Sequence, residues 1–314
     1  TTFRKTYRRA LAIYISLTAI QYALLRLSGL NKSDSLITSL SNISTAGLMN
    51  LNNGNIISYG LAVKIIITTF AFMSSLNFSI LLLATMKKFR ELTEGPELKF
   101  HAGRILTTTI FITGILYITY NRSISSLKEF GNVLMQVISY FTTAGYQISD
   151  TNGWPGAACA IILIQMFIGA CAISSGGGIK AARTIIALKT SSRTLYHHIH
   201  KNAIRPIKYA GTPLKLNTLL RCNLYIVMFV VTFLFGALIL SINLDLNTAL
   251  NTSLAMLTNT GTYINQTATP GIIDDYSIVS KITMMFLMLA GRLEIYPVIL
   301  IFFKSFWKND NDFL

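Results

Sequence analysis

Charged residues are scarce in this chain. They make up 12% of its 314 residues, about half the share of an ordinary soluble domain. Hydrophobic residues account for 52%, and several apolar runs approach or exceed the ~20 residues that cross a bilayer as a helix. These runs lie at 158–172 with a continuation at 179–188, at 222–242 and at 278–303. The composition excludes a soluble core and predicts an all-α membrane protein.

Cysteine is also rare. The three thiols, Cys159, Cys171 and Cys222, all lie in or beside apolar runs, which excludes a disulfide framework and a thiolate metal site. A basic start, an apolar stretch and a cleavage site do not occur in order, so we expect no cleaved signal peptide. We expect no cofactor either.

Acidic residues number 12 against 27 basic ones, which gives a net charge of +15. In a soluble protein this excess would favour nucleic acid. Most of the basic residues, however, fall in four connecting segments, near 4–9, 87–104, 189–221 and 304–308. The positive-inside rule places such segments in the cytoplasm. The charge pattern therefore predicts a multi-pass protein of the inner cell membrane, surrounded by lipid, with both ends cytoplasmic and no nucleic-acid partner.

The basic segments divide the chain into three blocks, 1–100, 101–215 and 216–314. Each block contains an apolar helix, a short segment, a glycine among small residues and a second apolar helix. We predict this second helix over 56–86 in the first block and over 276–306 in the third. The short segments, 34–43, 126–141 and 245–257, would reach only ~15–24 Å as helices, and most are too short for ~30 Å of hydrocarbon. Irregular backbone at membrane depth survives only inside protein or beside water. The pattern predicts tandem helix–pore loop–helix repeats around a central pore.

The residues after each short segment suit a cation filter. Rings of backbone carbonyls can replace the hydration shell of a cation, and glycine most easily adopts the backbone that aims them. Partly negative helix ends pointing inward favour a cation over an anion. The predicted filter positions are Thr45, Ala46, Gly47, Thr143, Ala144, Gly145, Asn259, Thr260 and Gly261. Three further carboxylates, Asp150, Asp274 and Asp275, either attract cations to the mouth or are ordinary loop residues.

Three consecutive glycines interrupt the long apolar stretch of the second block. Because glycine weakens a helix, we expect a non-helical loop inside the membrane, either an ion gate or a packing kink. Lys180 and Arg183 follow closely, which favours the gate. The gate positions are Ser174, Ser175, Gly176, Gly177, Gly178 and Lys180, with Arg292 added below.

Other functions of the glycine stretch are excluded. A dinucleotide site would need a βαβ unit and a following acid. A serine protease would need a base, and the sequence places His101, His197, His198 and His200 in cytoplasmic connections. The histidine cluster is either a metal site or, as the sequence favours, a solvated linker.

Arg292 lies about halfway along the last apolar run. Ionisable residues in a membrane helix are costly and are functional candidates. We expect Arg292 to face the pore or the glycine loop. It is then either a positive barrier below the filter, whose removal raises cation flux, or a structural bridge to a carbonyl.

These motifs resemble the Trk/Ktr/HKT superfamily of potassium, and sometimes sodium, transporters, most of all its bacterial TrkH branch. The resemblance covers essentially the whole chain and rests on 141–146, 167–180 and 291–294. It implies four repeats around one pore, K+ or alternatively Na+ as the transported ion, and the glycine loop with Arg292 as a gate. It also implies a homodimer controlled by a cytosolic nucleotide-binding ring.

The chain departs from this pattern in several places. Its three blocks correspond to the second, third and fourth repeats, so we expect the first to be missing, in a fragment or a shortened gene product. Leu48 and Tyr146 replace the usual Phe, Ile173 the usual Gly, and Ser175 the usual Thr. Our leading hypothesis is channel-like or symporter-like potassium uptake, not an enzyme. A sodium-conducting or non-selective pore, an inactive structural partner of a complete pore, and a broken-helix anion carrier remain alternatives.

Overall fold

The structure, a computed structural model, describes residues 2–47, 56–78, 95–120, 126–151, 153–200, 206–261, 276–301, 303 and 307. These ranges are mainly helical, with one small hairpin. The helices are α1 (Thr2–Leu27), α2 (Lys32–Ile43), α3 (Leu61–Ser75), α4 (Pro96–Thr119), α5 (Ser126–Phe141), α6 (Gly156–Phe167), α7 (Ala181–Ile199), α8 (Leu216–Leu240), α9 (Leu246–Leu257), α10 (Ile278–Arg292) and α11 (Ile295–Leu300). Strands β1 (Lys208–Tyr209) and β2 (Thr212–Pro213) pair antiparallel between α7 and α8.

Three of the described helices are long and apolar enough to cross a membrane: α1 from Arg8, α4 and α8. Their outer faces carry exposed aliphatic side chains, such as Ile118 on α4 at 78% and Leu238 on α8 at 65%. In water such faces would be costly, whereas lipid tails solvate them. The long helices therefore present their apolar sides to the bilayer.

Helices α2, α5 and α9 are the three short helices that the sequence predicts, and their bounds agree with the prediction to within two residues. Each packs against the long helix before it. Their buried faces are rich in polar groups, such as Thr38 and Asn42 on α2 and Ser253 on α9. Such faces suit the interior of a bundle rather than lipid.

Helix α9 also shows why a short helix starts where it does. The carboxylate of Asp245 accepts a hydrogen bond from the Thr248 amide at 3.1 Å, as an N-cap does. Hydrogen bonding from Thr248 lowers the pKa of the Asp245 carboxyl. The stabilisation from this cap is therefore complete at pH values above the usual pKa of aspartate. It is lost as the pH falls through the lowered pKa of Asp245.

The main apolar core joins α4, α5, α6 and the helices from α8 onward, with Phe141, Met166 and Phe229 fully buried. A smaller cluster joins α1, α3 and the segment after α5, around Leu25, Ile67 and Tyr146. Both clusters surround the ends of the short helices. The loops that follow those helices are consequently held in the protein interior.

The second apolar helices differ from expectation in length. The sequence predicts helices over 56–86 and 276–306, but α3 ends at Ser75 and the final stretch breaks after Arg292. The break occurs because Glu294 has φ +65°, which no α-helix accommodates. Arg292 therefore ends a helix and does not lie halfway along one. Residues 79–94 lie outside the described ranges.

Candidate functional site

The loops after α2, α5 and α9 share one backbone pattern. Thr45, Thr143 and Asn259 have φ between +53° and +57°, and the glycines two residues later have φ between +70° and +78°. The residue between has negative φ in each loop. Left-handed backbone is uncommon for residues other than glycine. Alternating handedness allows successive carbonyls of an extended segment to face the same side, which a carbonyl-lined filter requires.

The three loops meet at one place. A Cβ added to Gly47 would lie 2.9 Å from the Ala144 carbonyl oxygen and 3.4 Å from the Thr260 carbonyl oxygen. Ala144 and Thr260 are the middle residues of the other two loops. The two carbonyl oxygens therefore lie no farther apart than the sum of those distances. The contact with Ala144 leaves no room for a side chain at Gly47.

Side chains of helix α5 bind the extended segment that follows the second filter loop. The Gln136 amide oxygen accepts hydrogen bonds from the amides of Ile148 and Ser149, at 2.8 and 2.9 Å. The Ser139 hydroxyl donates to the Tyr146 carbonyl at 2.7 Å, and the Tyr146 hydroxyl donates to Ser41 of α2 at 3.1 Å. Gln136 and Ser139 were not among the predicted site residues, although both lie on a short helix next to a filter loop.

Residues 168–180 form the predicted non-helical loop between α6 and α7. Its base is closed by two hydrogen bonds, from Gly169 to Ile179 at 2.8 Å and from Ile179 to Phe167 at 2.9 Å. A Cβ added to Gly177 would lie only 2.0 Å from the Thr258 carbonyl oxygen. The glycine loop, residues 173–178, thus packs directly against the start of the third filter loop.

Two filter threonines hold the glycine loop. The Thr143 hydroxyl accepts a hydrogen bond from the Gly177 amide at 2.8 Å. The Thr45 hydroxyl lies 2.8 Å from the Ser175 carbonyl oxygen and 2.7 Å from that of Ser44, so its single proton is shared. Asn259, at the equivalent place, donates to Met288 of α10 at 3.2 Å instead.

Cationic side chains also bind the glycine loop. Arg292 donates to the Ser175 carbonyl at 2.6 Å, and the Lys180 ammonium donates to the carbonyls of Gly176 and, at 3.4 Å, Ser174. Arg183 pairs with Glu294 at 2.6 Å. The structure brings Arg292 to the loop as predicted, in a geometry that suits both a barrier and a bridge to a carbonyl.

The placement of His101 and Arg104 in a cytoplasmic connection is wrong. Both lie in α4, at 0% and 7% exposure. Arg104 donates to the carbonyls of Ile168 and, at 3.1 Å, Gly169, and its guanidinium lies 4.5 Å above the Phe141 ring. Buried charges need such partners. The spacing of three residues, which puts His101 and Arg104 on one helix face, was the available signal.

Glu97 was missed as well. Its carboxylate is 8% exposed and accepts hydrogen bonds from the Ala172 amide at 3.0 Å and from the Tyr209 hydroxyl. Burial, followed by the hydrogen bond to Glu97, raises the pKa of the Tyr209 phenol. The pair Gly95-Pro96, which starts α4, signals a helix N-terminus where an acidic residue is favourable.

Several predicted positions are not at this site. Leu48, Asp274 and Asp275 lie outside the described residues. Asp150 is exposed beyond the second filter loop, and its role at the mouth stays a prediction. His197, His198 and His200 are exposed near the end of α7; the part of the chain that the structure describes contains no group of three or more potential metal ligands.

Known proteins resemble this chain over most of its length. The family described as "TrkH: Cation transport protein" matches residues 3–310. The Trk system potassium uptake protein TrkH of Halomonas elongata is 27% identical over 95% of this chain and 61% of its own length. TrkG of Escherichia coli is 26% identical over 90% of this chain and 58% of its own length. The chain thus spans about three fifths of the length of these relatives.

A solved structure has the same fold. The crystal structure of the potassium transporter TrkH from Vibrio parahaemolyticus superposes with a TM-score of 0.88 at 24% identity. The match covers 97% of this chain and 65% of that one. The predicted all-α membrane fold is confirmed, and the chain is a multi-pass membrane protein.

Proposed function

The chain belongs to the TrkH family of cation transport proteins, and from this premise we propose that its three filter loops form part of a potassium uptake pore. The relatives are named as potassium uptake proteins. Potassium would enter down its electrochemical gradient, since a membrane potential contributes about 2.3 kcal/mol per elementary charge per 100 mV. The proposal concerns the complete pore to which these loops contribute.

The observation that carries the proposal is the meeting of the three loops at Gly47. The carbonyl oxygens of Ala144 and Thr260, the middle residues of two loops, approach Gly47 of the other loop. Each loop alternates positive and negative φ. Carbonyl oxygens so arranged can replace the water around a dehydrated cation. No side chain needs to react, which fits a transporter and not an enzyme.

The glycine loop would act as the gate. It is hydrogen-bonded to filter residue Thr143 and to Arg292, and it packs against Thr258 without space between them. An ion leaving the filter on this side would meet the loop. Opening would require breaking the bonds that Thr45 and Arg292 donate to the loop and the bond that Thr143 accepts from it. These bonds support a closed resting state.

Location and partners are part of the same proposal. The pore would lie in the inner membrane with both ends of the chain cytoplasmic, as a homodimer under the control of a cytosolic nucleotide-binding ring. The exposed basic residues of α7 and the hairpin, including Lys189 and Lys208, support a cytoplasmic position for that side.

Growth of a potassium-uptake-deficient bacterium at low potassium tests the proposal. We expect the full-length gene to restore growth and Gly145→Ala to abolish it, because Gly145 has φ +71° in the second filter loop. Gly114→Ala is the control, since a Cβ there meets nothing within 4 Å. Failure of a well-expressed full-length form, or full growth with Gly145→Ala, would contradict the proposal. Sodium competing equally with potassium in tracer uptake would favour the non-selective pore.

A further inference from the structure

One carboxylate touches both the glycine-loop segment and the cytoplasmic hairpin. Glu97 lies in the first turn of α4, after Pro96, and is buried. An acidic group there is favoured by the helix N-terminus. Its two partners come from distant parts of the chain: the Ala172 amide, next to the glycine loop, and the Tyr209 hydroxyl, on β1.

The first partner sits beside a strained residue. Ile173, which follows Ala172, has φ +54° and is 69% exposed. A β-branched residue in this region is an outlier that persists only when its surroundings hold it. Neighbouring backbone hydrogen bonds do so. The Cys171 amide donates to the Ser75 carbonyl at 3.1 Å, and the Ile173 carbonyl accepts from the Phe78 amide at 3.2 Å.

The second partner belongs to an exposed element. The hairpin turns at Ala210 and Gly211, both with positive φ and both exposed. The Tyr209 ring packs against the buried cluster of Ile186, Ile207, Leu219 and Cys222. The hairpin tip is therefore accessible from the cytoplasmic side, while the Tyr209 hydroxyl reaches the buried carboxylate.

We propose that Glu97 is a positioning residue that couples the hairpin to the glycine loop, so that displacement of the hairpin frees the loop at Ile173. The inference rests on the proposed function, because it takes the glycine loop as the gate. Loss of the Tyr209 bond leaves the Ala172 amide as the hydrogen-bond donor to this carboxylate among the described residues. The carboxylate then moves more freely, and the Ala172 amide loses its fixed acceptor.

Native Cys171 supplies a readout that needs no ion flux. It is fully buried and adjacent to Ala172. In the full-length protein with Cys159→Ser and Cys222→Ala, the rate at which a membrane-permeant maleimide modifies Cys171 measures release of the loop. Tyr209→Phe keeps the ring and removes only the hydroxyl. We expect modification to become about tenfold faster or more, because a hydrogen bond to a charged group is lost.

Two further variants make the test specific. Tyr120→Phe removes a hydroxyl bond to the Gly153 carbonyl at the opposite end of α4, and should leave the rate unchanged. In a Glu97→Leu background, which can accept neither bond, Tyr209→Phe should add nothing. A wild-type rate for Tyr209→Phe, or equal acceleration in both backgrounds, would overturn the coupling. Either result could occur in a protein that still conducts potassium, so the two proposals fail separately.

Discussion

At the residue scale, each filter loop carries a side chain at a left-handed backbone position that glycine would adopt at a lower energetic cost. Thr45, Thr143 and Asn259 hold left-handed backbone, which costs about 1–3 kcal/mol for a residue with a side chain. Each makes a contact that glycine could not: the two threonines to the glycine loop and Asn259 to α10. The strain is therefore offset by bonds that join the filter to the elements beside it.

Thr143→Val tests this link with little change in shape. The Gly177 amide would lose its acceptor, and an unsatisfied buried amide costs about 1–3 kcal/mol. We expect the glycine loop to open more often and rubidium uptake into vesicles to rise about fivefold or more. Thr113→Val is the control, because the Thr113 hydroxyl has no hydrogen-bond partner in the described structure. Unchanged uptake in Thr143→Val would show that its bond does not hold the loop.

Two substitutions separate the effect of the Arg292 charge from that of its hydrogen bond. Arg292→Gln retains a donor for the Ser175 carbonyl but removes the charge, whereas Arg292→Ala removes both. Two unit charges about 4 Å apart interact by about 1–4 kcal/mol between water and a protein surface. A barrier therefore predicts at least about fivefold higher flux in both variants. A rise in Arg292→Ala alone would assign Arg292 to the structural bridge, and unchanged or lower flux in both would contradict the barrier.

At the scale of elements, α4 joins the second filter loop, the glycine loop and the hairpin. Its Arg104 binds the carbonyls at the end of α6 and lies over Phe141, the last residue of α5. Its Glu97 reaches the glycine-loop segment and the hairpin. One membrane helix thus contacts the end of α5, the start of the glycine-loop segment and the hairpin.

Arg104→Met should lower the free energy of unfolding in detergent by at least about 2 kcal/mol, because hydrogen bonds of charged groups contribute about 1.5–3 kcal/mol each. Arg104→Lys should lose less, since lysine keeps a charge but not the planar fork that reaches several carbonyls. Thermal unfolding followed by size-exclusion chromatography measures both. Lys189→Met on the exposed face of α7 should change little. Equal stability of Arg104→Met and wild type would mean that the buried cation is dispensable.

At the scale of the molecule, orientation in the membrane can be measured directly. We expect a single cysteine at Asp150 to react with an impermeant maleimide in intact cells, and one at Lys215 to react only after permeabilisation. Both residues are exposed, and the basic segments place the Lys215 side in the cytoplasm. The native cysteines would be replaced first. The reverse labelling pattern would contradict the proposed topology.

The sequence predicted the elements well because their signals are local. Short apolar segments followed by glycine located α2, α5 and α9, and three consecutive glycines located the loop at 173–178. Intramembrane charge led to Arg292, which binds that loop. Each of these signals depends on neighbouring residues and on the thickness of a bilayer.

The remainder could not be predicted because it depends on distant partners. Arg104 resembles one more residue of a basic cytoplasmic cluster until the carbonyls of Ile168 and Gly169 are brought beside it. Glu97 likewise becomes informative only next to Ala172 and Tyr209. The break after Arg292 coincides with left-handed backbone at Glu294, whose carboxylate pairs with the distant Arg183.

Under the proposed function, the left-handed backbone at Ile173 affects leakage of ions through the closed glycine loop. The strain of about 1–3 kcal/mol raises the energy of the present loop conformation and reduces its advantage over unstrained alternatives. Each 1.4 kcal/mol changes the thermal population of those alternatives about tenfold. Because the Ile173 side chain is mostly exposed, its replacement by glycine removes strain with little lost packing. In the proposed pore, a single substitution at Ile173 would therefore change the resting permeability without altering the residues of the filter loops.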